Sequence, residues 1–266
     1  MELYNLGKDI VAFTTDRTQG RDMDKIRETI TGHHPALLGR IKSGLYPHQT
    51  HTDHVFHITE EFLALPEEER KVRLEGIDAI ISNVKDVIFG ISTADCIPVL
   101  VYDPEHHAAA AIHAGWKGTV KRIVEKALRK MQDTFETNPA KCVAAIGPGI
   151  SLESFEVGDE VGEAFINEGF EIEEVSRRFP KMNVCQPTDE KRLHLDLKEI
   201  NRRQLLSLGV SAENIEVSLI DTYTLHIVRL IKLISIVSST STQQVEPVIQ
   251  YTTIGVNASV IHSLIL

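Results

Sequence analysis

Apolar and polar positions along this chain fall mostly into short runs bounded by turn residues, with helical spacing confined to a few longer stretches. Ile10–Thr15, Val55–Ile58, Ile77–Ser82, Val87–Ser92, Lys141–Ile146, Phe155–Gly158 and Glu216–Ile220 have the length and β-prone character of strands. Val120, Ile123, Val124, Ala127, Leu128 and Met131 recur at i, i+3, i+4 and i+7, the spacing of one apolar helix face, and Thr119 stands where an N-cap belongs. Further helices are predicted over Met23–Ile30, over Glu60–Arg73 with a break at Pro66, and over Asp159–Asn167. Asp196 and Glu199 have capping-box spacing for a helix running through Leu208 and stopping at Gly209. Strands and helices alternate only partly, and neither a repeat nor a linker divides the chain. The pattern therefore predicts one α+β domain rather than a doubly wound sheet.

One hairpin carries candidate chemistry. Ile97–Tyr102 reads as a strand, Asp103-Pro104 as a turn, and His107–Ile112 as a return strand of small residues. A four-residue loop over Asp103–His106 would set Tyr102 against His107 and Cys96 directly against His113. Side chains so opposed share a face, with Cβ atoms about 4.5–5.5 Å apart. A thiolate and an imidazole at that separation can grip a transition metal or act as nucleophile and base. A buried cysteine beside a strand histidine is the plain alternative. A third ligand can come from Tyr46-Pro-His-Gln-Thr-His-Thr-Asp-His54. His51 is the choice, although spacing alone does not separate it from His48 or His54. Three protein ligands with an open fourth position describe a catalytic zinc site.

After His113 the chain runs Ala114-Gly-Trp-Lys-Gly118 into the periodic helix. A glycine-flanked loop bearing Lys117 would then lead into a helix N-terminus beside the metal candidate, a setting that favours phosphate. A tight turn with Trp116 packed on the core explains the same residues. Gly147-Pro-Gly149 permits close backbone approach, either to a ligand or within a turn.

Composition narrows the partners. The 266 residues have a net charge of −10, with no basic stripe for nucleic acid. The apolar run Leu225–Val237 contains Arg229 and Lys232 and is too short to span a bilayer, so no membrane partner is expected. The N-terminal residues show no apolar signal region. Cys96, Cys142 and Cys185 are odd in number and far apart, which fits free thiols in a reducing cytoplasm.

Gln49-Thr-His51, Thr93-Ala-Asp-Cys96, His113-Ala-Gly-Trp-Lys-Gly118 and Ile146-Gly-Pro-Gly-Ile150 occur together and in this order. Over roughly residues 10 to 224 the chain resembles the laccase-domain, or multicopper polyphenol oxidase, family, whose members are described as purine nucleoside phosphorylases. The resemblance implies a mixed β-sheet sandwich flanked by helices in α-β-β-α layers. It implies His51, Cys96 and His113 as metal ligands, holding zinc or, alternatively, copper. It further implies small-molecule substrates: phosphorolysis of adenosine, inosine and S-methyl-5′-thioadenosine, and deamination of adenosine. In that chemistry Cys96, His113 and Asp95 are catalytic candidates, with Asp95 for proton transfer or for orienting a ligand. Lys117 and Arg17 are candidates for holding phosphate. Copper-dependent oxidation of phenols is the rival activity, but electron transfer through several coppers asks for repeated His-x-His pairs, which this chain lacks.

Residues 1–224 are thus expected to form the family-like domain, with 225–266 an atypical C-terminal segment of it, arising from a divergent or frame-changed terminus. Related sequences carry a Cys-Thr pair, then Phe-Ser, paired arginines and Thr-Gly-Arg. Here Asp221-Thr-Tyr-Thr224 leads into a tail with three charged residues in 42, against 63 in the preceding 224. The run Leu233–Val237 reads as an exposed β-prone segment.

Overall fold

The apolar runs become the strands of two facing sheets. The computed structural model describes residues 2–7, 9–15, 24–25, 28, 44–181, 190–224 and 230–236. Strands β1 (Glu2–Tyr4), β2 (Ile10–Thr14), β3 (Gly44–Leu45) and β4 (Val55–His57) are followed by helices α1 (Glu60–Leu63) and α2 (Glu67–Arg73). Next come β5 (Ala79–Ser82), β6 (Ile88–Thr93), β7 (Ile97–Asp103) and β8 (Ala108–Ala114), then helices α3 (Trp116–Val120) and α4 (Ile123–Phe135). β9 (Val143–Ile146), β10 (Glu156–Val157), α5 (Asp159–Asn167), β11 (Ser176–Pro180), β12 (Lys191–Leu195), α6 (Leu197–Ser207), β13 (Ile215–Val217) and β14 (Leu230–Ile236) complete the described chain.

One sheet has the order β13-β9-β7-β8-β5-β4, the other β1-β2-β14-β6-β3, and β10-β12-β11 form a small third sheet. Alternate residues of β7 and β8 serve different layers. Val99, Val101, Ala110 and Ile112 pack with Val124, Leu128 and Met131 of α4. Leu100, Tyr102, Ala109 and Ala111 face the other sheet, where Ala12, Phe89 and Ile91 meet them. The alanine run of β8 is fully buried on both faces, so short side chains let the layers close on either side. On the far side of the second sheet Val11, Phe13 and Ile88 are buried as well. The result is a single domain of mixed sheets flanked by helices, in keeping with the expected class.

Local signals work where the deciding residues are near in sequence. Pro66 separates α1 from α2, and Asp159–Asn167 is helical as expected. The Asp196 side chain accepts from the Glu199 amide, and Gly209 follows α6 with φ 98°. β11 and β12 had no counterpart in the sequence reading. Of the Met23–Ile30 helix only residues 24, 25 and 28 are described, each helical, while Arg17 and Cys185 lie outside the described residues.

Three expectations need correction. The β7–β8 register is Ile97↔Ala114, Pro98↔His113 and Asp103↔Ala108, two residues away from the expected one. Asp103 joins the ladder because its buried carboxylate accepts from the amides of Glu105 and His106 and from His106 Nδ1, which moves the loop to residues 104–107. His107 takes a left-handed turn conformation, φ 49°, instead of opening the strand. Second, Thr119 is not an N-cap. It lies buried inside α3, hydrogen-bonded to Asn201, while α4 restarts after Arg122 in a left-handed conformation. Third, the backbone of residues 233–236 is not open for pairing: it lies in β14, which is paired on both edges, to β2 and β6, while Val237 lies outside the described residues.

Candidate metal centre

His51, Cys96 and His113 come together at the ends of three separate segments, their ligand atoms all within 4.8 Å of one another. Cys96 precedes β7, and His113 sits near the end of β8 opposite Pro98. The two-residue slip leaves Cys96 diagonal to His113, but an even slip keeps both on one face. The His51 ring meets that of His113 edge-on, centroids 4.9 Å apart. His48 and His54 are turned to other tasks. His48 Nδ1 bonds Glu75 at 2.7 Å, and His54 Nδ1 bonds the Gly76 carbonyl at 3.2 Å.

Asp78 organises the histidines. It is fully buried. Its Oδ1 accepts from His113 Nδ1 at 2.6 Å and from the His51 amide at 3.1 Å. Its Oδ2 accepts from the amides of Thr50 and Thr52 and from the Thr52 hydroxyl. Three successive N–H groups thus converge on one carboxylate. They hold His51 at φ 63°, a left-handed conformation that costs a non-glycine residue about 1–2 kcal/mol. An ionised carboxylate only accepts, so the Nδ1 of His113 carries the proton and its Nε2 is the nitrogen left to face the cluster. Burial pulls the Asp78 pKa up, but the bonds from His113 and Thr52 outweigh it and leave it lowered. Burial likewise works against a charged His113, yet its bond to Asp78 and the nearness of Cys96 raise its pKa to about 9. His51 is shifted down, chiefly by burial and then by the neighbouring charge of His113.

The donor set suits a soft or borderline metal. Two imidazoles and a thiolate match zinc or copper rather than magnesium or calcium. Donors around a tetrahedral zinc lie about 3.5 Å apart, so this cluster needs only small side-chain adjustments. Gly115 leaves the room: a Cβ there would stand 2.9 Å from Cys96 Sγ and 3.1 Å from His51 Cδ2. Gly149 has a different use, since a Cβ would press on Ile97 and on the carbonyls of Asp95 and Cys96. The close approach permitted by the Gly-Pro-Gly segment is therefore to the backbone bearing Cys96.

Residues 16–227 match the family described as multi-copper polyphenol oxidoreductase laccase. The chain belongs to this laccase family. A purine nucleoside phosphorylase of Bacteroides thetaiotaomicron is 39% identical over 215 residues, covering 81% of this chain and 77% of its own length. Adenosine deaminase RL5, from an unknown prokaryotic organism, is 38% identical over 169 residues, 64% of this chain and 61% of the relative. The structure resembles Bacillus licheniformis hypothetical protein YfiH, with a TM-score of 0.68 at 22% identity, covering 85% of this chain and 92% of that one. The laccase-family match ends at residue 227, close to where the charge pattern changes.

The remaining site candidates of this laccase-family chain are placed as follows. Asp95 is half-buried, and its Oδ1 accepts from the Thr222 hydroxyl at 2.8 Å. The buried Lys198 ammonium donates to the carbonyls of Ser218 and Ile220, bracing the segment that brings Thr222 to Asp95. Lys117 is exposed in α3, its charge felt by His51 and its ammonium 5.7 Å from the Trp116 ring centroid. Trp116 packs against the helix-side core, as the tight-turn reading expected. Asp78 and Thr222 are given no role by the sequence, and Gln49 enters only as the first residue of the Gln49-Thr-His51 motif. For Asp78 a signal existed: an acid at the entrance to the apolar run Ile77–Ser82.

Proposed function

We propose that this chain is a metal-dependent purine nucleoside enzyme that cleaves adenosine, inosine and S-methyl-5′-thioadenosine with phosphate and deaminates adenosine. The observation that carries this reading is the His51–Cys96–His113 cluster, a three-ligand set with a glycine beside it instead of a side chain. The names of the relatives supply the substrate class. Zinc is the metal favoured here, and when bound it would contribute Lewis acidity. His51, Cys96 and His113 would hold it, with His113 kept in one orientation by Asp78.

Each reaction assigns work to this chain. In deamination, water replaces the C6 amino group of adenosine, giving inosine and ammonia. Asp95, oriented by Thr222, is the proposed proton carrier. In phosphorolysis a phosphate oxygen takes the anomeric carbon from the purine nitrogen, giving free base and ribose 1-phosphate. Lys117, an exposed cation beside His51, is the proposed phosphate holder, with Arg17 a second. A helix N-terminus contributes little here, because α3 spans only five residues. A reducing cytoplasm suits a thiolate ligand, and among the described residues no helix is long and apolar enough to cross a membrane.

The second reading is copper-dependent oxidation of phenols, which the family's description favours. Among the described residues only one His/Cys cluster of three is found, where oxidation through several coppers would use more. The test is incubation of zinc-loaded, copper-loaded and metal-free protein with adenosine and phosphate, followed by chromatography. Adenine, inosine or hypoxanthine formed by the zinc form and lost in His113→Ala supports the purine reading. Phenol oxidation by the copper form without nucleoside turnover replaces it.

A further inference from the structure

We infer that Asp78 is the positioning residue of the metal centre, holding His113 by its ring and His51 by its backbone so that both present a nitrogen towards Cys96. The inference rests on the metal reading above.

Asp78 does more than fill a polar gap. A fully buried carboxylate is costly unless its oxygens are satisfied. Here five donors converge on it: the amides of Thr50, His51 and Thr52, the Thr52 hydroxyl and His113 Nδ1. Its main chain makes the same connections. The His113 amide donates to the Asp78 carbonyl at 2.8 Å, and the Asp78 amide donates to His54 O at 3.2 Å. Asp78 is therefore fastened on one side to the strand bearing His113 and on the other to the loop bearing His51.

Every one of the five partners is a donor, so only an acceptor-only group can serve them all. Asparagine has nearly the same shape but would turn an NH2 towards N–H groups. It must give up either the Oδ1 pair, the His113 ring with the His51 amide, or the Oδ2 set, the Thr50 and Thr52 amides with the Thr52 hydroxyl. Losing the first frees the imidazole to rotate or to offer the wrong nitrogen. Losing the second releases the amides on either side of His51, which brace its left-handed conformation. Either outcome displaces a ligand from Cys96 without altering Cys96 itself. Partners that orient metal-bound histidines in this way typically change metal affinity 10–100-fold when replaced.

The experiment titrates zinc alone, against a chromophoric chelator, into the full chain, its Asp78→Asn variant, His113→Ala and the double variant. Circular dichroism monitors the fold. The expected result is an affinity loss of about 10–100-fold in Asp78→Asn with an unchanged spectrum, and a smaller loss when the same change is made in His113→Ala. Wild-type affinity in Asp78→Asn, or an equal loss in both backgrounds, overturns the positioning role while leaving the metal reading intact. No zinc uptake by the wild-type chain removes the metal reading and this inference with it. Should Asp78→Asn not fold, nitrogen-15 NMR of the zinc-loaded wild type decides. His113 protonated at Nδ1 and metallated at Nε2 supports the inference, and metal on Nδ1 overturns it.

Discussion

The Gln49 carboxamide pairs with the backbone of Ser92 in both directions. Its Nε2 donates to the Ser92 carbonyl at 2.9 Å, and its Oε1 accepts from the Ser92 amide at 2.8 Å. A side chain here does what a neighbouring strand would do along the edge of β6. The pair fixes the His51 loop against the strand that leads directly into Thr93–Cys96. The spacing of the Gln-x-His motif thereby acquires a physical reason: Gln49 anchors the loop, and His51, two residues later, reaches the cluster.

Replacing Gln49 with alanine leaves the Ser92 N–H and C=O without these partners. Each hydrogen bond lost in this way costs about 0.5–1.5 kcal/mol. The expected outcome is a lower melting temperature together with weaker zinc binding, because the loop and Cys96 lose their common anchor. Thermal unfolding and chelator competition on the same preparation check both parts. Unchanged zinc affinity would limit Gln49 to the stability of the loop.

Gly115→Ala separates the site from the fold. Gly115 has φ −68°, which any residue adopts, so the backbone tolerates alanine. The added methyl meets Cys96 Sγ and His51 Cδ2. Zinc affinity should fall at least about tenfold, since even a small displacement of ligands is felt, while the unfolding midpoint of the metal-free protein moves little. Metal analysis after dialysis against limiting zinc would show the loss directly.

The Asp103 loop should make stability depend on acid. Burial alone would raise the Asp103 pKa, but the bonds from His106 and from the amides of Glu105 and His106 help leave it lowered from 3.8. A depressed folded pKa contributes stability that is present above 3.8 and fades as pH falls through the folded value. His106 is raised from 6.5, chiefly by its bond to Asp103, so its own contribution is full below 6.5 and fades as pH rises through the raised value. Asp103→Asn should cost on the order of 1–3 kcal/mol at pH 5–6, and less as the medium is acidified below 3.8. Urea unfolding of both proteins between pH 3 and pH 7 measures that narrowing gap.

Ending the chain at Thr224 would remove β14 from between β2 and β6. Two strands would then show unpaired backbone edges, which template aggregation. The shortened protein is expected in the insoluble fraction, or as large assemblies in light scattering. A monodisperse, folded product would mean that the two edges close on each other without β14.

Much of the architecture was legible because its causes are local. Pro66 breaks a helix, Asp196 caps one and the Val124–Leu128–Met131 face is periodic, all within a few residues. β14 was harder to place. Its pairing joins residues 230–236 to strands more than a hundred residues upstream, and its apolar run carries no mark of which strands accept it. The same holds for Thr222 and Asp95, 127 residues apart.

By itself the sequence determined which segments extend or coil, that Cys96 and His113 share a face, and which family motifs are present. Alternation in a strand decides sidedness, and a slip of two residues preserves it. Tertiary structure decided the register, through the capping of the 104–107 loop by Asp103. It also decided that His51, rather than His48 or His54, meets Cys96 and His113. That choice belongs to a buried carboxylate 27 residues away, whose accepting oxygens gather the loop amides and the His113 ring. Hydrogen bonds between segments distant in sequence leave no periodicity behind, so only the folded chain displays them.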